Sequence, residues 1–171
     1  MLQMGKIFLG LVFWNVVLFG VTIWMGITGS GWHGLALGVL TGIYTCLTHS
    51  IVLMHFMGSG KGIKEAVETH NLPNDPRTGY VRRTRKFKAR SSPAATFACI
   101  FIIVAVWLGG WAQTAPHNPA ALQWHRWFSA FAVAYNLYAF WVEYRVIREN
   151  TEMIREINAK IAGRARPPGA P

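Results

Sequence analysis

Charge is scarce in this chain. Of its 171 residues only 14% are Asp, Glu, Lys or Arg, against about 25% in an ordinary soluble domain. With 52% hydrophobic residues, the composition excludes a disordered chain and does not fit a typical basic nucleic-acid binder. Cysteine is rarer still: two residues cannot build a disulfide framework or a four-thiolate metal site. No Cys-x-x-Cys, His-Glu-x-x-His or Gly-x-Ser-x-Gly occurs, so thiol redox exchange, zinc proteolysis and nucleophile-elbow hydrolysis lack their signatures. Gly58-Ser59-Gly60-Lys61-Gly62 has the glycines of a phosphate loop but neither its spacing nor its hydroxyl, since Gly62 stands where Ser or Thr belongs. It follows an apolar run rather than a strand, and reads as a helix stop. Acidic residues are also few, seven against 17 Lys and Arg, for a net charge of +10.

What the chain has instead is long uncharged runs. Ile7–Ile27 and Pro93–Gln113 contain no ionisable group except Cys99; Leu35–Met57 adds two His; Leu122–Trp141 has His125 and Arg126 near its start. Each is about 20 residues, enough for a helix to cross a ~30 Å hydrocarbon layer while satisfying its own backbone hydrogen bonds. The expected fold is therefore all-α: a polytopic integral membrane protein with four transmembrane helices in two hairpins and a cytoplasmic helical C-terminal extension. The spans are placed at about 7–27, 35–57, 93–113 and 122–145, within a transmembrane domain 1–146. A basic loop covers 58–92, an amphipathic helix 147–162, and a disordered tail 163–171. The first run reads as a retained span rather than a signal peptide, because it is long and no small-residue cleavage site stands out near Gly26–Gly31.

Sixteen of the 17 basic residues fall in the N-terminus, the 58–92 segment or the tail; Arg126 is the exception. By the positive-inside rule both termini and the middle loop are cytoplasmic, in a cell inner membrane. Trp24, Trp32, Trp111, Trp124 and Trp127 gather at the opposite ends of the spans, where indole favours the headgroup layer. Gly34, Gly38 and Gly42 repeat every four residues, a stripe that admits close approach of another backbone.

Lys61–His70 is expected to form a short surface helix, broken by Asn71-Leu72-Pro73-Asn74-Asp75-Pro76. Beside the third span, Arg82, Arg83, Arg85, Lys86, Lys88 and Arg90 form a cluster suited to anionic lipid headgroups, at about 1 kcal/mol per basic residue near the surface. Topology accounts for the charge, so nucleic acid is not expected as a partner. In the tail, Ile147, Ile154 and Ile161 recur every seven positions with Asn150 and Ile157 between them. Such a seam fits self-association or a helix lying on the protein's own middle segment.

Polar groups at membrane depth are costly and mark candidate function. Asn15, His49 and Asn136 fall in one layer, eight or nine residues from the inner ends of their spans, with His55 and Glu143 in a second layer nearer the cytoplasm. At helical spacing His125, Asn136 and Glu143 share one stripe, and Thr41, Thr48 and His55 another. The candidate cofactor site is His49, His55, Asn15, Thr48, Asn136 and Glu143, which suits haem b, a quinone head or proton transfer; Tyr44, Tyr135, Tyr138 and Cys99 are possible additions. Alternatively these groups only hydrogen-bond the helices to one another. His33, His117 and His125, near the opposite side, are a weaker metal candidate. The leading expectation is an accessory or anchor subunit of a larger membrane complex without catalysis of its own, associating with other membrane subunits or with itself. A haem- or quinone-binding redox carrier and a proton- or metal-coupled transport component, centred on His55 and Glu143, are the alternatives.

Overall fold

The computed structural model describes residues 3–29, 31–75 and 79–165. They form four helices, α1 (Gln3–Thr28), α2 (Trp32–Thr69), α3 (Tyr80–Thr114) and α4 (Pro119–Ala165), with no strand among the described residues. Three of them, α1, α2 and α3, are long and apolar enough to cross a membrane. At 1.5 Å per residue the 38 residues of α2 reach about 57 Å and the 47 of α4 about 70 Å, well beyond a hydrocarbon layer of ~30 Å.

The turns explain where the helices stop. Gly29 (φ 73°) and Gly31 (φ 55°) lie in the left-handed region between α1 and α2, where a side chain would be strained. Asn71 (φ 46°) ends α2, and the Leu72 N–H closes on the Val67 carbonyl at 3.0 Å, satisfying a last-turn acceptor. At the start of α4 the Asn118 Oδ1 accepts from the Ala120 N–H at 3.0 Å. Pro119 follows as the first helical residue, where a missing N–H costs nothing.

Neighbouring helices run antiparallel, as their paired contacts show. Thr22 meets Thr41 and Asn15 meets Thr48 between α1 and α2. Gly42 faces Val106 and Gly60 faces Thr84 between α2 and α3. Gly109 faces His125 and Arg90 pairs with Glu149 between α3 and α4. α1 closes the ring against α4 through Phe8 and Phe140, whose centroids are 6.3 Å apart. α2 and α4 thus occupy opposite corners of a four-membered ring, their backbones approaching little, and His49 of α2 reaches across to Asn136 and Glu143 of α4. All eight Trp lie on the outside.

Most of the segment 58–92, expected as a loop, is helical among the described residues. Helix α2 runs unbroken through Gly58–Gly62 to Thr69, and α3 is already helical from Tyr80 through the basic cluster and past Pro93. The expected helix stop at Gly58–Gly62 is thereby corrected, and Lys61–Thr69 belongs to α2 rather than to a separate surface helix. Propensity loses to packing here. A Cβ on Gly60 would stand 3.0 Å from the Thr84 methyl, so this glycine lets α2 and α3 stay in contact beyond the apolar region. The expected glycine stripe also divides between two neighbours: Gly42 faces α3, and Gly38 faces Thr22 of α1 at 3.9 Å.

The tail seam packs on its own chain. Ile147, Met153 and Ile157 are buried in one cluster with Ile63 and Val67 of α2 and Tyr80 and Phe87 of α3, and Asn150 is buried as well. Helix α4 continues without interruption to Ala165, three residues into the segment expected to be a disordered tail; 166–171 lie outside the described residues. The bundle therefore has two ends: a charged end made of the extended parts of α2, α3 and α4, and an opposite end with the two short turns.

Gly60→Leu should destabilise the protein by about 1–3 kcal/mol through overpacking against Thr84. Gly58→Ala, whose Cβ meets nothing within 4 Å, should instead be neutral or stabilise by up to about 1 kcal/mol. Thermal unfolding of both purified variants in one detergent reads the contrast.

Candidate functional site

Hydrogen bonding inside the bundle starts with threonines on α2. Thr41 and Thr48 return their hydroxyl protons to carbonyls one turn back, at 2.8 and 2.9 Å, and thereby remain available to another helix as acceptors, while the Thr45 proton lies between the Thr41 carbonyl and α1. Asn15 of α1 bonds to two of the threonines: its Nδ2 donates to Thr48 Oγ1 at 2.9 Å, and its Oδ1 accepts from Thr45 Oγ1 at 2.8 Å. Asn15, Thr45 and Thr48 have no exposed surface.

One residue further along α2, His49 faces α4. Its Nε2 lies 3.1 Å from Asn136 Oδ1 and its Nδ1 2.9 Å from Glu143 Oε1. Asn136 is oriented by its own amide, whose Nδ2 donates to the carbonyls of Ala132 and Ala98. Its oxygen therefore faces the ring, and His49 Nε2–H is the donor. That leaves Nδ1 to share a proton with Glu143. A neutral imidazole beside a carboxylic acid and an imidazolium beside a carboxylate contain the same number of protons, so the proton can move along this bond without changing the net charge. The ring of Phe140 stacks on His49 at 4.8 Å and 19°. His49, Asn136 and Glu143 are each 0% exposed. Glu143 Oε2 is buried without a partner. Cys46 on α2 and Cys99 on α3 carry free thiols.

Of the six residues in the candidate cofactor site, the structure brings His49, Asn136 and Glu143 into one triad and Asn15 and Thr48 into a second, adjoining pair. His55 belongs to neither. The second layer expected from His55 and Glu143 does not form, because Glu143 turns to His49, and His55 sits two turns on toward the charged end. Phe140 is the residue that sequence reasoning missed. Phe140 lies four residues after Asn136 and three before Glu143, the spacing of one helical face, and its lack of a polar group hid its role.

The outer histidines are not gathered. Among the described residues no group of three His, Cys, Asp or Glu is placed to hold a metal ion. His125 fits its ring against Gly109 and contacts the Ala105 carbonyl and Ser129 hydroxyl, both at 3.2 Å, while His33 and His117 are exposed. Two members of the basic cluster are committed to ion pairs with α4: Arg83 to Glu156 at 3.1 Å and Arg90 to Glu149 at 2.8 Å. Arg82, Arg85, Lys86 and Lys88 are exposed along α3.

At the charged end, Tyr80 donates its hydroxyl proton to Glu156 at 2.7 Å and accepts from Lys160 Nζ at 2.6 Å. The hydrogen bonds from Tyr80, Lys160 and Arg83 hold the Glu156 carboxyl down at about 2. Tyr80 and Glu156 raise the Lys160 ammonium above its ordinary value. Arg164 ties the end of α4 to the His70 carbonyl at 2.7 Å.

No family model, no curated protein and no solved structure matches this chain.

Two predictions follow from these geometries. Glu143→Leu strands the His49 Nδ1 and should cost about 1–3 kcal/mol, whereas Glu143→Gln, which offers an N–H to that nitrogen, should cost clearly less; denaturant titrations in mixed micelles compare them. The second concerns pH. Glu156 has a folded value below its ordinary one near 4.5, so its contribution is complete above 4.5 and is lost as pH falls toward about 2. Water screens this open cluster, so the effect is small. Amide protection factors in the last turns of α4, the observed exchange divided into the intrinsic rate at each pH, should fall across that window in the native chain and much less in Glu156→Gln.

Proposed function

We propose that this chain is a four-span protein of the cell inner membrane, built of two helical hairpins with both termini in the cytoplasm. It serves as an accessory or anchor subunit of a larger membrane complex and has no catalysis of its own. The fourth span is the first part of α4. Its outward face, Leu122, Trp124, Trp127, Phe131, Leu137, Tyr138 and Trp141, is exposed and apolar or aromatic, while Asn136 and Glu143 turn inward. Its mean hydropathy is lowered by the inward polar groups and by aromatic residues suited to a membrane boundary. The concentration of Lys and Arg at one end supports the orientation.

One observation carries the assignment of a non-catalytic role: Asn15, Thr45, Thr48, His49, Asn136 and Glu143 are all 0% exposed and bonded across three helices. A group that acts on a substrate has to be reached, and these are not; their evident work is to hold α1, α2 and α4 together. The charged end gives such a subunit something to dock with, since α2, α3 and α4 emerge as a braced helical stub bearing the exposed Arg82, Arg85, Lys86 and Lys88. Anionic headgroups or an acidic subunit surface match that face.

The redox alternative has weaker support. Both nitrogens of His49 are engaged, so it has none free for a haem b iron, and His55, whose Nε2 has no partner, has no second imidazole among the described residues around it. A quinone head remains a chemical match for His55. Proton- or metal-coupled transport centred on His55 and Glu143 loses its pair, because Glu143 is bonded to His49.

Purification of the tagged native chain in a mild detergent, followed by mass spectrometry, tests the proposal. Stoichiometric membrane partners are expected, and they should be lost when Arg82, Arg85, Lys86 and Lys88 are changed together to Glu. A homogeneous isolated chain, recovered also after cross-linking in intact membranes, would overturn it.

A further inference from the structure

A groove of about 710 Å³ opens where α1, α2 and α4 part at the charged end. Its walls are mainly apolar, with Met4 and Ile7 from α1, Ile63 and Ala66 from α2, and Ile154 and Ile157 from α4. Gly58 and Gly62 form part of its α2 side, and a Cβ on either would meet nothing within 4 Å, so glycine keeps the space open. Among the described residues no Lys, Arg, Asp or Glu lines it. Its polar features are His55, Ser59, Thr151 and Asn158.

His55 is the distinctive member. Its Nε2 is buried and has no hydrogen-bond partner, although a buried polar atom is normally satisfied. Nearby, Asn150 donates to Ser59 Oγ at 3.2 Å, while its own Oδ1 is buried and unpaired. Thr151 gives its proton to the Ile147 carbonyl. The groove therefore combines an apolar trough, an unspent imidazole nitrogen and no fixed charge, at the level where apolar helix gives way to charged helix.

We propose that this groove binds an uncharged amphiphile whose head presents a carbonyl oxygen to His55 Nε2–H and whose hydrocarbon tail lies along Ile7, Ile63, Ile154 and Ile157. A phosphate head finds no cation among the lining residues and is disfavoured there. Carbonyl chemistry of this kind comes from two sources in a membrane, a lipid-soluble quinone or an acyl ester of glycerol. Such binding is independent of whether partner subunits are attached, and it uses His55, which the buried triad leaves free.

The test uses the full chain with ¹⁵N-labelled histidine in nanodiscs of ether-linked phosphatidylcholine, a host without ester carbonyls. Decylubiquinone, monoolein, dodecyl phosphate and dodecane are titrated separately while the His55 Nε2 resonance is followed. Decylubiquinone or monoolein should shift it saturably, and whichever does so identifies the source. His55→Leu should weaken that binding by about tenfold, the loss of roughly 1.4 kcal/mol, and His55→Gln, which keeps a donor, should restore part of it. Gly62→Leu, which fills the groove without touching the triad, should abolish binding while leaving the fold intact. No shift with either carbonyl probe, an equal shift with dodecane or dodecyl phosphate, or undiminished binding to Gly62→Leu would overturn the proposal.

Discussion

The bond between His49 and Glu143 spans a diagonal of the bundle, between two helices whose backbones approach each other little. α2 and α4 stand at opposite corners of the ring, and a bundle of this kind can shear along that diagonal. In an apolar interior an unpaired imidazole or carboxyl is costly, so each group restricts where the other can be. Asn136 aligns the ring, Phe140 covers it, and Asn15 with Thr45 and Thr48 fixes α1 at nearly the same level. A small number of polar contacts thus sets the register of three helices whose apolar surfaces would accept several.

Glycine and charge do the corresponding work further along. Gly60 and Gly109 are notches, one for Thr84 and one for the His125 ring, and each lets adjacent helices run close where a larger residue would separate them. Beyond the apolar region α3 and α4 are held together by Arg83–Glu156, Arg90–Glu149 and the Tyr80–Lys160 contact. Individually such exposed pairs contribute at most about 1 kcal/mol. Together with the buried Ile147, Met153 and Ile157 they make the extension a continuation of the bundle rather than an appendage. The proposed docking role uses this stiffness, and the proposed groove lies where α1 ends while the other helices continue.

Helix content, the apolar length of three helices and the clustering of charge were legible in the sequence, because hydropathy and charge are additive along a chain. The layer of Asn15, His49 and Asn136 was legible too, since counting residues from the helix ends gives depth. The partner of Glu143 was not. His49 and His55 are both within axial reach of Glu143, and only the rotation of α2 about its axis selects between them. That rotation follows from which face of α2 packs on α1 and α3, and Thr41, Gly42, Thr45 and Thr48 settle it jointly. The glycine-rich segment Gly58–Gly62 misled for a related reason: glycine weakens an isolated helix, yet here α3 needs the space that a side chain would occupy.

By itself the sequence determined an all-helical chain with apolar stretches of membrane length, a strongly basic set of flanking segments and a few polar residues placed where they cannot be solvated. These properties follow from local composition, and a change of packing would leave them as they are. Tertiary structure alone decided that His49 rather than His55 receives Glu143, that His33, His117 and His125 remain apart, and that the isoleucine seam of the tail is buried against its own chain. Each of those outcomes depends on the angle at which one helix presents its face to another, a quantity set by the shapes of side chains distant in sequence.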